Sequence, residues 1–140
     1  MSKGRILLLG RDIARLQRRG ELLQMSKGRI LLLGNDIVRL QRRGELLRRD
    51  GYTPFLTESL EQARKICREL RFLAAVVGHA VDARERTQSI RYLREECGIP
   101  VVLVTQGGEL TALRADAYVP LHEEENRLGE ILAGMADGSP

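Results

Sequence analysis

The sequence predicts a doubly wound α/β domain, one parallel sheet of five strands with helices on both faces. Three observations carry the prediction. Short apolar runs recur, RILLL at 29–33, LAAVV at 73–77 and VVLVT at 101–105, and each leads into a turn signal or a polar loop. Between them lie segments with apolar residues at helical spacing. The central runs are apolar throughout rather than alternating, as strands covered on both faces are.

RILLLG, 29–34, reads as the first strand. Asp36 reads as the N-cap of a helix whose apolar positions are Ile37, Val38, Leu40, Leu46 and Leu47, a spacing that packs on a sheet. Gly44 is a weak point within that helix, and Asp50-Gly51 ends it. YTPFL, 52–56, is a short strand, and Pro54 puts it at an edge or leaves that position unpaired. Ser59, with Gln62 three residues on, has the form of a capping box. It opens a helix with Leu60, Ala63, Ile66, Cys67 and Leu70 on one face. LAAVVG, 73–78, is a central strand; 83–97 is a helix with Ile90, Leu93 and Cys97 inward; PVVLVT, 100–105, is another buried strand. A short helix at 109–114, a strand AYVPL at 117–121 and a helix from Glu123 to Met135 complete a fivefold βα pattern. Right-handed crossovers leave few topologies, and the flavodoxin-like order 2-1-3-4-5 fits five short strands. Such sheets work at the carboxyl ends of their strands, which here means Gly34–Asp36, Gly78–His79, Thr105–Gln106 and Pro120.

Composition excludes several classes. At 43% hydrophobic residues the chain is globular rather than disordered. Its apolar runs are too short to cross a bilayer, and the run behind the basic start is too short for a signal peptide, so a cytoplasmic location is expected. Cys67 and Cys97 read as reduced thiols, and neither belongs to a zinc spacing. No metal and no cofactor is expected. The net charge of +4 comes largely from a basic helix present in two copies, and its arginines read as a solvated face. Without an aromatic platform or a DNA-binding motif, nucleic acid is an unlikely partner.

The two copies are nearly the same. Residues 1–24, MSKGRILLLGRDIARLQRRGELLQ, return at 25–48 as MSKGRILLLGNDIVRLQRRGELLR, differing at three of 24 positions: Arg11/Asn35, Ala14/Val38 and Gln24/Arg48. The sheet has one central slot for this strand–helix unit. Residues 25–48 run into the next strand without an insertion, so they are expected to fill it, within a domain spanning 25–140. Residues 1–24 are then an extra unit. Its strand residues Ile6, Leu7, Leu8 and Leu9 and its helix face, including Ile13 and Leu16, need cover worth roughly 1.5–3 kcal/mol per side chain. An added edge strand, or exchange of the unit with a second chain, would give that cover, so a homo-oligomer is expected, a dimer or a larger assembly, in one form a domain-swapped dimer.

Residues 29–135 resemble the receiver (CheY-like) domain of bacterial response regulators, through RILLLGND, RRDGY, LAAVVG, GIPVVLVTQ and ADAYVPL in that order. The resemblance implies a two-component signalling module. It also implies an acidic pair for Mg²⁺ after the first strand, an Asp phosphoacceptor after the third, a Thr or Ser after the fourth and a Lys after the fifth. Oxygen ligands would hold the hard cation, and cation and Lys would offset phosphoryl charge. In this chain the acidic pair falls on Gly34 and Asn35, with Asp36 following as a helix cap. The phosphoacceptor falls on Gly78, the hydroxyl on Thr105 and the Lys at or beside Pro120. Only Thr105 keeps the pattern, and it reads as a structural hydroxyl. His79, one residue past Gly78, has no visible base or metal ligand and reads as a loop histidine.

The resemblance therefore implies a degenerate pseudo-receiver without phosphoryl chemistry, not an enzyme, acting through protein partners. Its partner surface would include Leu110, Leu113, Tyr118 and Leu128. The alternative is a small-molecule or nucleotide-binding flavodoxin-like domain. LLLGND lacks G-x-G-x-x-G, and Gln106-Gly107-Gly108 alone reads as a turn.

Overall fold

A computed structural model describes residues 26–78, 81, 83–106 and 115–137. The described elements are β1 (Arg29–Leu33), α1 (Ile37–Arg49), β2 (Thr53–Thr57), α2 (Leu60–Glu69), β3 (Ala74–Val77), α3 (Ala83–Arg91), β4 (Val101–Thr105), β5 (Ala117–Pro120) and α4 (Glu124–Asp137). All strand pairs are parallel, and the order is β2-β1-β3-β4-β5. This is the order expected from the βα alternation. Residues 25–48 supply β1, which lies between β2 and β3. Residues 1–24 and the helix expected at 109–114 lie outside the described residues.

Local chemistry explains most element ends. Asp36 caps α1, its Oδ1 accepting from the N–H groups of Val38 at 3.1 Å and Arg39 at 3.3 Å. Ser59 caps α2 by accepting from Gln62 N–H at 3.2 Å, while the Gln62 side chain accepts from Glu58 N–H rather than from Ser59 as a strict capping box requires. The third helix is not uniform as expected: α3 continues into a π-helical turn, Tyr92–Glu96, closed by Cys97 N–H on Tyr92 C=O at 3.1 Å. Pro54 sits in an edge strand.

The sheet divides the core. On one face Ile30, Leu32, Val76, Val102 and Val119 pack against Leu40 and Leu47 of α1 and Leu128 and Leu132 of α4. On the other, Leu31, Ala75, Val77 and Leu103 pack against Ala63 of α2 and Ile90 and Leu93 of the α3 segment, with Phe55 edge-on to Phe72. One expectation for α1 fails. Ile37 and Val38 face solvent, Val38 at 71% exposure, because Val38 falls opposite the inward stripe of Leu40, Arg43, Gly44 and Leu47 and Ile37 falls at its margin. Gly44 marks a close approach: a Cβ there would lie 3.2 Å from Leu56 Cδ1, so the missing side chain lets α1 lie against β2. Among the described residues, no helix is long and apolar enough to cross a membrane.

Candidate functional site

The carboxyl ends of β1, β3, β4 and β5 bring Gly34, Gly78, Thr105 and Pro120 to one rim of the sheet. Gly34 N–H donates to Thr57 C=O at 3.1 Å, and Gly78 N–H to Leu33 C=O at 2.9 Å, so both glycines are tied into the ladder ends. Asn35 is exposed. Asp36 is turned to its own helix: Oδ1 holds the cap and Oδ2 lies 3.3 Å from Arg39 Nε. Thr105 is half-buried and stands opposite Pro120 in the β4–β5 register.

The decisive residue at this rim comes from α1. The helix turns Leu40, Arg43, Gly44 and Leu47 toward the sheet. Arg43 is only 3% exposed, and its guanidinium clasps the buried carboxylate of Glu124, the first residue of α4. Nε donates to Oε2 and Nη2 to Oε1, the second at 3.2 Å, which is the two-pronged geometry suited to Arg and carboxylate. Glu124 also stands where a helix N-terminus favours negative charge. A Cβ on Gly78 would lie 3.2 Å from Arg43 Nη1 and 3.5 Å from Leu33 O. The guanidinium thus lies against the place a side chain at 78 would take. The reading of the α1 arginines as a solvated face is corrected here: Arg43 is core, because its position falls on the helix's inward stripe.

A second pair, Arg42 with Glu125, runs beside the first at the surface. Its hydrogen bond and charge hold the Glu125 carboxyl below the usual carboxylate range and push the Arg42 guanidinium up. A groove of about 240 Å³ between α1 and the start of α4 is lined by Arg39, Arg42 and Arg43. Each pairs with a carboxylate, Asp36, Glu125 and Glu124 respectively, so the groove is not a cradle for an anion.

The residues at this rim do not fit Mg²⁺. Gly34 and Asn35 bring no carboxylate, Asp36 is spent on its cap, and the nearest buried charge to Gly78 is cationic. Among the described residues, no group of three His, Cys, Asp or Glu side chains is placed to hold a metal ion. Phosphoryl transfer to residue 78 has no acceptor atom.

The expected partner surface divides. Tyr118 is exposed on β5 and its hydroxyl accepts from Ala115 N–H at 3.1 Å. Leu128 is corrected: at 2% exposure it belongs to the core, since α4 turns it onto the sheet face that carries Ile30, Leu32, Val102 and Val119. Leu110, Leu113, His79, Gly107 and Gly108 lie outside the described residues, as do Ile6, Leu7, Leu8, Leu9, Ile13 and Leu16. At the opposite rim, Cys67 and Cys97 line a cavity of about 390 Å³ with Leu70 and Phe72. Burial, then a hydrogen bond to Cys97, pushes the Cys67 thiol up to about 12. Such a thiol is a poor nucleophile.

No protein family matches the sequence, and no curated protein does. Solved structures do. The receiver domain of a sensor histidine kinase from Pseudomonas aeruginosa, with magnesium in its active-site cleft, is 20% identical over 80% of this chain and 98% of its own, at a TM-score of 0.68. The response regulator TrrA of Thermotoga maritima, in complex with magnesium and beryllofluoride, is 19% identical over 79% and 99%, also at 0.68. A chemotaxis response regulator of Vibrio cholerae is 14% identical over 80% and 99%, at 0.66. The chain has the receiver fold. The Pseudomonas domain holds magnesium in its active-site cleft; the rim described above holds an internal ion pair.

Proposed function

We propose that this chain is a receiver-fold signalling module that works without phosphorylation, catalyses nothing itself and acts through protein partners of two-component type in the cytoplasm. The observation that supports it is the buried Arg43–Glu124 pair laid against Gly78. Receivers bound to magnesium need negative side chains at this rim. Here a cation already holds the space, and its charge is matched from within the fold. The exposed apolar side chains Ile37, Val38 and Tyr118 give a partner something to bury. Self-association belongs to the same reading, because residues 1–24 repeat an apolar segment that gains from cover a second chain can give.

The test is direct. The full chain is incubated with Mg²⁺ and acetyl phosphate and its intact mass measured. No added phosphoryl group is expected, and a labelled chain sinks the reading. Light scattering on the same sample is expected to give the mass of a dimer, and a monomer removes the self-association.

A further inference from the structure

The sequence carries the same 24-residue segment nearly twice over, and the sheet has one slot for it. The structure shows what the slot asks for. Within 25–48 the fold buries Ile30, Leu31, Leu32, Leu33, Gly34, Leu40, Arg43, Gly44 and Leu47. Residues 1–24 carry the same residue at every matching position, including Arg19 for the buried Arg43 and Asp12 for the capping Asp36. The three positions that differ are occupied in the slot by Asn35, Val38 and Arg48, and all three are exposed. The slot therefore has no contact by which to tell one copy from the other.

We infer that residues 1–24 can replace residues 25–48 in the same chain, so that the protein has two frames related by a slip of one repeat. The slip gives up the end of the helix, where Met25-Ser26-Lys27 stand in for Arg49, the cap Asp50 and the positive-φ Gly51, and it has a second cost in loop closure. It lengthens the connection into β2 from residues 50–52 to residues 26–52. Loop closure weakens with about the three-halves power of length, which sets the slipped frame back roughly 30-fold. The buried contacts add nothing to that difference. Exchange between two chains does not change the count either, since half of the units stay outside a slot in any closed assembly. The two frames show a partner different faces beside Gly34: Asn35 and Val38 in one, Arg11 and Ala14 in the other. This inference is independent of the phosphorylation reading.

The experiment uses the full chain and three variants, Leu8→Asp, Leu32→Asp and the double variant. Leu32 is wholly buried in the slot, where a carboxylate is not tolerated. Leu8→Asp is expected to unfold in urea like the wild type. Leu32→Asp is expected to stay folded, with its folding constant lowered by at least roughly 30-fold, the loop penalty plus the altered helix end. The double variant is expected to be unfolded. Hydrogen exchange on Leu32→Asp is expected to find slow amides at residues 6–9 and fast ones at 30–33. If Leu32→Asp is as unfolded as the double variant, or if its slow amides remain at 30–33, the slip does not occur.

Discussion

The two faces of the sheet are built on different terms. The face under α2 and α3 is sealed by apolar groups, Ala63, Phe72, Ile90 and Leu93, with two thiols at its margin. The face under α1 and α4 is just as tightly closed, yet it carries Arg43 and Glu124 at its upper end. The first face holds by area removed from water. The second adds a constraint of geometry: a buried guanidinium must meet a carboxylate on a particular helix, or pay the desolvation of a lone charge. Such a pair adds little net stability over an apolar filler, but breaking it is severe. The difference teaches where this fold fixes its helices: α4 is registered against α1 by charge, whereas α2 and α3 are held by shape.

Glu124→Ala attacks that registration most directly. It leaves Arg43, or its repeat counterpart Arg19, buried without a partner, and a loss of about 3–5 kcal/mol is expected in urea unfolding. A loss below about 1 kcal/mol would mean that the pair is solvated and that the two faces are alike. Leu93→Ala is the matching cut on the other face. Leu93 is wholly buried, and about 3 kcal/mol is expected from lost transfer energy and cavity. The effect should not depend on salt, whereas the α1–α4 contact, with its exposed Arg42–Glu125 pair, should weaken as salt rises.

Alkaline pH sharpens the comparison further. The folded Cys67 thiol sits above its unfolded value of 9.0, at about 12, and burial and its bond to Cys97 push it there. Tyr92 shifts the same way, through burial and then its hydrogen bond to Cys97. The folded chain keeps protons that the unfolded chain loses, so this contribution is complete below pH 9 and is lost as pH rises from 9 toward 12. Unfolding midpoints measured across that range should fall, and less so in Cys67→Ala; an unchanged slope in the variant would place the titration elsewhere. The smallest effect belongs to Val38→Ala. At 71% exposure the substitution should stay within about 0.5 kcal/mol, and a larger change would show that the first turn of α1 is covered.

Much of this fold can be read from residue order. Apolar runs gave the strands because a parallel sheet buries both sides of its centre, and Asp36 and Ser59 announced their helices because a short oxygen at an N-cap has few competitors. The rim was legible in what it lacks, since Gly78 has no side chain in any fold. Its occupant was not read. Arg43 stood in a run of basic residues that looked solvated, and Glu124 in an ordinary helix start. A signal was present: Leu40, Arg43, Gly44 and Leu47 follow the i, i+3, i+4, i+7 spacing, so the arginine lies on the apolar stripe. Its partner, 81 positions along the chain, leaves no local mark. Ile37 and Val38 misled in the other direction, because apolar character was read ahead of helical phase: Val38 falls opposite that stripe and Ile37 at its margin.

Pro54 has a consequence beyond marking an edge. In β2, Thr53 N–H turns inward to Gly28 C=O at 2.9 Å, so alternation turns the nitrogen of Pro54 outward. The open margin of the sheet is therefore missing a donor in mid-strand. A chain whose sequence repeats its own first strand is exposed to runaway stacking, each molecule lending a strand to the next. A proline at that margin breaks the template such a fibre would need.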